Sequence, residues 1–271
     1  MSSASSPIRL VVADADGTVL TPEKQVTRDS RLAVQKLREA GIGFTLASGR
    51  LPAAMHGMVA ALEVSLPYAG LNGALISHAD HSPFDCRKMP EALATEVLDF
   101  FLSSGMGAWV YSETDWIISD ADGPYVREEI DFVKIPPRIV PDLHDIVTSA
   151  VKVMGVSPDA TLAAKCAGQL SARLGAAASV APSQPHFVDV TAPDATKGQS
   201  VTRIATSLGF DISEVAVIGD GTNDLSMFEI AGLAIAMGNA PARVTAAAHR
   251  ITASNEDEGF AQAIEMILGR A

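Results

Sequence analysis

A chain of 271 residues has room for one large domain or two of ordinary size, and 48% hydrophobic residues suffice for a substantial core. No uninterrupted apolar run approaches the length of a bilayer crossing, so a soluble chain is expected. The formal net charge of −12 repels nucleic-acid phosphates and anionic membranes at long range, so neither is expected as a partner, and a phosphorylated small molecule would need local positive charge in its pocket.

Residues 1–7 are rich in Ser, with neither a basic segment nor an apolar signal core. They are expected to be a frayed tail rather than a secretory signal, which makes the cytoplasm the expected location. Residues 8–13 are an apolar, β-rich run that ends in Asp14-Ala15-Asp16-Gly17-Thr18. Leu32, Val34, Leu37 and Ala40 form a roughly helical stripe that predicts a helix over 27–40, and Gly41 suits the left-handed position that follows. A second strand is expected over 42–47, ending in Ser48-Gly49-Arg50, and a second helix from Pro52, which suits a first turn, to about Leu62. A short third strand at 68–71 precedes Asn72-Gly73 and a further apolar run at 74–77. Strands alternating with helices predict an α/β fold with a parallel, doubly wound, Rossmann-like sheet.

The pattern changes at the polar stretch 78–83, which suits a hinge. His78, His81 and Cys86 lack the spaced second pair of a metal pattern, and Cys86 and Cys166 neither build a disulfide framework nor match zinc spacing, so a polar linker is expected there. Beyond it the sequence predicts helix 90–104, strands 107–112 and 116–119, helix 123–131, strand 151–156, helix 158–174, and strands 177–180 and 186–190. From Lys197 the first alternation resumes, with helix 197–208, strand 215–218, helix 222–231, strand 233–237 and a last helix over 258–268. The expected architecture is a core of 1–83 and 191–271 interrupted by an inserted α/β domain, 84–190. The oligomeric state is left open.

Asp14 and Asp16 carry the strongest chemical signal. Closely spaced carboxylates after a buried strand stand where open α/β sheets bind ligands, and the turn there lets both aim at one cavity. Like charges held close repel, and burial adds a desolvation cost to each. A divalent cation relieves both penalties, and Mg²⁺, with its preference for hard oxygen ligands, is the expected one. An ordinary solvated Asp-Gly turn is the competing explanation. The chain carries its own control, because Asp120-Ala121-Asp122-Gly123 repeats the tetrapeptide between a polar-interrupted stretch and Pro124, where an exposed turn is expected. A calcium loop is ruled out by Val19 and Gln25, which stand where it needs Gly and Glu.

Parallel strands bring their carboxyl ends together, and each would present a different group. The first offers Asp14 and Asp16, the second Ser48 with the amides of Gly49 and Arg50, and the strand ending at Ile218 offers Gly219-Asp220-Gly221-Thr222-Asn223-Asp224, with Lys197 opening the helix before it. Alone, Ser48 would be a helix cap, Lys197 a solvated lysine, and Asp or Asn before a helix another cap. Asp14, Asp16, Ser48, Lys197 and Asp220 together point to a phosphate-and-metal site.

These motifs, with Asn72-Gly73-Ala74, Lys197-Gly198 and the tail Ser254-Asn255-Glu256-Asp257-Glu258-Gly259, resemble the haloacid dehalogenase superfamily, specifically its Cof-type sugar-phosphatase-like branch. They span nearly the whole chain outside the insert, in the family's order. Ala15 stands where a larger apolar residue is frequent and Ser48 where Thr is, and neither change removes a reactive group. The resemblance implies a Mg²⁺-dependent hydrolase of small phosphomonoesters, with Asp14 as nucleophile and Asp16 as acid and base. It places the metal on Asp14, the backbone carbonyl of Asp16, and Asp220. Thr18, Ser48, Gly49, Arg50, Lys197 and Asn223 would surround the phosphoryl group, with Asp224 and Asn72 in support. The insert would be a cap that closes over the site and sets specificity, its Trp109, Tyr111, Trp116 and Tyr125 being either substrate contacts or core. The same resemblance leaves open a phosphomutase and a noncatalytic sugar-phosphate-binding module. Asp16 argues against dehalogenation, since an alkoxide leaving group needs an acid and a halide does not.

Overall fold

The computed structural model describes residues 7–269, so the expected tail lies outside the described residues except for Pro7. The first part of the chain runs β1 (Leu10–Ala13), α1 (Arg28–Glu39), β2 (Gly43–Leu46), a 3₁₀ turn (Pro52–Met55) continued by α2 (His56–Ala61), β3 (Tyr68–Gly70), β4 (Leu75–Ser77) and β5 (Pro83–Cys86). The middle runs α3 (Glu91–Ser103), β6 (Gly107–Tyr111), β7 (Trp116–Ile118), α4 (Val126–Val133), β8 (Arg138–Ile139), a 3₁₀ segment (Leu143–Ser149), β9 (Lys152–Val156), α5 (Ala160–Leu174), β10 (Ser179–Gln184) and β11 (Phe187–Thr191). The last part runs α6 (Lys197–Ser207), β12 (Val215–Gly219), a 3₁₀ turn (Thr222–Asp224), α7 (Leu225–Phe228), β13 (Leu233–Ala236), α8 (Ala242–Thr245), β14 (Arg250–Ile251) and α9 (Gly259–Leu268).

The core sheet has the order β14-β13-β12-β1-β2 and is parallel throughout. Its central strands are apolar at every position because both faces are covered, as the doubly wound reading requires. Side chains alternate along β1, so Val11 and Ala13 pack with Val34 and Leu37 of α1 and Ile264 of α9. Leu10 and Val12 meet Val201 and Ile204 of α6 on the other face.

The strand expected at 68–71 forms, but it does not extend the parallel sheet. A single parallel bridge, Ala47 to Ala69, joins it to the core strands, and its ladder is antiparallel with β4, which pairs in turn with β5. Of residues 78–83, expected as a hinge, 78–82 are the turn of that β4–β5 hairpin and Pro83 begins β5. His78 N donates to Ser82 O at 2.9 Å, and Ser82 N donates to Asp80 Oδ1 at 3.0 Å. The chain therefore leaves the hairpin after Cys86. The second Asp-Ala-Asp-Gly copy is an exposed turn, as expected, with Asp122 N bonded to Asp120 Oδ1.

The middle segment builds a second sheet of order β10-β11-β9-β6-β7-β8, antiparallel except between β7 and β8. One face, carrying Ala108, Val110, Val153, Val188 and Val190, packs on α3 and α5 through Val97, Phe101, Cys166 and Leu170. The alternate residues Trp109, Tyr111, Trp116, Met154 and Phe187 face the other way and pack with Leu51, Leu71 and Leu75 of the first part. This second face covers the carboxyl ends of the core strands.

The helix that carries Lys197 lies very close to the segment after β12, and Gly198 permits it. A Cβ at Gly198 would stand 2.1 Å from the Ser226 carbonyl oxygen. Gly198→Ala is expected to destabilise the protein by about 1–3 kcal/mol, the usual cost of overpacking. A lower denaturant midpoint at unchanged slope checks this, and a midpoint equal to that of the parent contradicts it.

Candidate active site

The carboxyl ends of β1, β2 and β12 open onto a cavity of about 150 Å³ under the inner face of the second sheet. The core contributes Asp14, Asp16, Ser48, Gly49, Arg50, Asp220 and Asn223 to its wall, and the second sheet and its helix contribute Tyr111, Trp116, Glu129, Lys152, Phe187 and Asp189. Parallel pairing is what gathers the first set: Ala13 stands beside Ile218 on one side and Leu46 on the other, so the loops that follow all emerge together.

At the floor, the Lys197 ammonium is 1% exposed and reaches two carboxylates, Asp14 Oδ1 at 2.7 Å and Asp224 Oδ1 at 2.6 Å. Asp224 spends its second oxygen on the amides of Asp220 and Gly221, at 2.9 and 2.8 Å. Asp220 accepts from Thr18 Oγ1 at 3.0 Å and from Asn239 Nδ2 at 3.3 Å. Gly17 is left-handed, at φ +76°, and a Cβ there would lie 2.2 Å from Asp220 Oδ2, so the loop after β1 is pressed directly onto that carboxylate.

Two carboxylates thus meet one ammonium, with a third, Asp220, close beside them. Burial pushes the Asp14 carboxyl well above its ordinary range; Lys197 opposes this, and the Asp224 and Asp220 charges add to it. Burial and the Asp224 charge raise Asp220 to about 6 against Thr18 and Lys197. Burial alone would lower Lys197, but Asp14 and Asp224 outweigh it and raise its pKa. Oxygens of Asp14, Asp220 and Asp224 lie within 4.8 Å of one another. Hard carboxylate donors in excess negative charge fit a small divalent cation. Asp224, with both oxygens engaged by Lys197 and two amides, is better placed to hold the loop than to ligate.

Asp16 lies across the cavity in a different environment. Arg50 grips it bidentately, Nε and one terminal nitrogen each 2.7 Å from a carboxylate oxygen, and Lys24 Nζ is 3.0 Å away. Burial would raise its pKa, but Arg50 and then Lys24 outweigh burial and lower it, which keeps Asp16 ionised in this arrangement. Ser48 Oγ accepts from Arg50 N at 3.2 Å. Asn223 Nδ2 donates to Asn72 Oδ1 at 3.0 Å, which brings Asn72 to the edge of the same site.

Of the residues singled out from sequence, Thr18, Lys197 and Asp224 stand behind the cavity wall: Thr18 is bonded to Asp220, Lys197 to Asp14 and Asp224, and Asp224 also to the amides of Asp220 and Gly221. The others converge on the cavity or its edge. Sequence reasoning missed Lys24, Glu129, Lys152 and Asp189. For the last two a signal was present, a charged residue inside each of the apolar runs Val151-Lys152-Val153 and Val188-Asp189-Val190.

Comparison with known proteins finds related chains along nearly the whole length. The family described as haloacid dehalogenase-like hydrolase matches residues 11–264. The 5-amino-6-(5-phospho-D-ribitylamino)uracil phosphatase YwtE of Bacillus subtilis is 26% identical over 96% of this chain and 98% of its own. Pyridoxal phosphate phosphatase YbhA of Escherichia coli is 26% identical over 94% of this chain and 97% of its own. The crystal structure of a haloacid dehalogenase-like hydrolase from Bacteroides thetaiotaomicron has a TM-score of 0.83 to this chain at 29% identity, covering 96% of this chain and 99% of that one.

The raised Asp220 pKa has a sign that can be tested. A carboxyl raised from 3.8 to about 6 gives stability that is complete below the unfolded value and is lost as pH rises through about 6. A cation that replaces the proton recovers it. Added Mg²⁺ is expected to raise the melting temperature at about pH 8, with an increment that shrinks as pH falls through about 6. Calorimetry with and without Mg²⁺ checks this, and an increment that grows on acidification contradicts it.

Proposed function

The chain belongs to the haloacid dehalogenase-like hydrolases, and from that premise we propose that it is a Mg²⁺-dependent phosphatase of small phosphomonoesters, sugar phosphates among them, working through an aspartyl phosphate. The observation that carries the proposal is the pairing at the cavity floor: Asp14 lines the cavity while Lys197 holds its Oδ1 from behind. A carboxylate fixed through one oxygen has its other oxygen available as the nucleophile. The relatives named as phosphatases of a ribityl phosphate and of pyridoxal phosphate support small phosphorylated substrates.

In this scheme Asp14 Oδ2 forms a bond to phosphorus as the bond from phosphorus to the alkoxide breaks. Asp16 gives the alkoxide a proton, then takes one from the water that attacks the aspartyl phosphate, releasing inorganic phosphate and regenerating Asp14. Arg50 and Lys24 hold Asp16 as the base, so the acid half of the cycle requires it to gain a proton. Phosphoryl oxygens entering the cavity compete for Arg50, and loss of that partner moves the Asp16 pKa upward. Ser48, the amide of Gly49, the Arg50 guanidinium and Asn223 receive the phosphoryl oxygens, while the Arg50 amide orients Ser48 Oγ. Thr18 and Lys197 act from behind by fixing Asp220 and Asp14. Asp14, Asp220 and the backbone carbonyl of Asp16 would hold Mg²⁺, which would supply the charge neutralisation that lets a carboxylate approach a phosphate dianion. We assign residues 1–83 and 191–271 to the catalytic core and 84–190 to the cap that selects the leaving group, with the small β3–β5 sheet marking the passage between them.

Asp14→Asn is expected to abolish turnover of a simple aryl phosphate while the protein stays folded, because the nearly isosteric amide is a poor nucleophile. Asp16→Asn is expected to slow turnover by about 10²- to 10⁴-fold, the range for a positioned acid or base. Steady-state rates on folded variants decide. Near-parental activity in Asp14→Asn overturns the proposal, and an unimpaired Asp16→Asn moves the acid role elsewhere.

A further inference from the structure

Two charged residues of the cap are buried where the cap meets the core. Lys152 and Asp189 are each 2% exposed, and alternation along β9 and β11 puts them on the face turned to the active site, opposite Val153 and Val188. A buried ammonium is costly unless well paired, and a charge-assisted pair normally closes to about 2.7–2.9 Å. This pair does not close. Lys152 Nζ stands 3.5 Å from Asp189 Oδ1, and that oxygen has no hydrogen-bond partner. The ammonium instead donates across the domain boundary to the carbonyl oxygen of Gly49 at 3.3 Å, with the Tyr111 ring 4.2 Å away. The second Asp189 oxygen also crosses the boundary, accepting from Asn72 Nδ2 at 2.8 Å, and Asn72 in turn accepts from Asn223.

The Gly49 carbonyl and the Arg50 N–H belong to one planar peptide, so holding the oxygen fixes the direction of the N–H, which points to Ser48 Oγ at 3.2 Å. We propose that Lys152 is a positioning residue: from the cap it fixes the Gly49–Arg50 peptide of the phosphate-holding loop, so that the cradle takes its working shape only with the cap seated. Asp189 does the same for Asn72 and, through it, for Asn223. This inference rests on the phosphatase reading and assigns the cap a part in the chemistry of any phosphoryl group, separate from selection of the leaving group.

The test compares the parent with Lys152→Met, Lys152→Gln and Lys152→Arg on a small aryl phosphate. A parent that hydrolyses no phosphomonoester under Mg²⁺ sinks the phosphatase reading itself. With an active parent, Lys152→Met and Lys152→Gln are expected to lose about 10²-fold in kcat, the scale of a misplacement near 1 Å, with a smaller change in KM, because the Arg50 N–H orients Ser48 Oγ, whose own donation matters most as charge develops on the phosphoryl oxygens. Lys152→Arg, which keeps the charge and a donor, is expected to recover most of the loss. Lys152→Gln keeps a donor for Asp189 and carries the test if Lys152→Met fails to fold. Parental kcat in either uncharged variant overturns the proposal, as does failure of both to fold, which would make the lysine structural.

Discussion

The interaction on which the site depends is the pair of short contacts from the Lys197 ammonium to Asp14 and Asp224. A lysine this deeply buried is tolerable only because two carboxylates meet it, and the carboxylates are tolerable only because the lysine is there. Each partner is fixed by a different element. Asp14 follows β1, Asp224 closes the turn after β12 by accepting two amides, and Lys197 begins a helix that lies close to that turn only because Gly198 has no side chain. The parallel core sheet exists, in functional terms, to bring these elements to one edge. The charge left over is negative, and that excess is what a phosphoryl-transfer site must neutralise before it can admit a phosphate.

The second domain answers the same constraint from above. The central strands of its sheet are buried on both faces, by its own helices on one side and by the core on the other. Most of the core-facing side is apolar and aromatic, which excludes water over the strand ends. Lys152, Asp189 and Glu129 interrupt that surface at the cavity. Burial raises the Glu129 pKa, and the Lys152 and Arg50 charges oppose it. The cap is therefore electrostatically joined to Asp16 and Arg50 as well as stacked over them.

Much of the core was legible in the sequence because β1 and β12 are short, fully apolar runs followed at once by carboxylates, and the run holding β2 ends in Ser48-Gly49-Arg50. The position of Asp14, Asp16, Ser48 and Asp220 followed from that pattern alone. Pairing partners did not. Residues 68–70 have the composition of a core strand, yet their ladder is with β4, a choice made by the hairpin that follows and invisible to local pattern. The 78–82 stretch looked like a hinge because a tight polar hairpin turn and a linker share the same composition, and β5, half exposed with the sequence Pro-Phe-Asp-Cys, carries no periodic signal. Lys152 and Asp189 were absorbed into strand assignments, although a charge inside a buried apolar run always needs a partner. The environment of Asp16 lay beyond any linear pattern, since Arg50 is 34 residues away in sequence.

The central claim is that Asp14, held by Lys197, becomes covalently phosphorylated. Acid quenching of the Mg²⁺-loaded enzyme during turnover of an aryl phosphate, followed by peptide mass spectrometry, tests it most directly, with Asp16→Asn included because its slowed hydrolysis lets the intermediate accumulate. A hydroxylamine-sensitive phosphoryl adduct on the peptide containing Asp14, enriched in Asp16→Asn, is the predicted result. Turnover with no adduct at Asp14 in either protein, or with an adduct on another residue, would contradict the account.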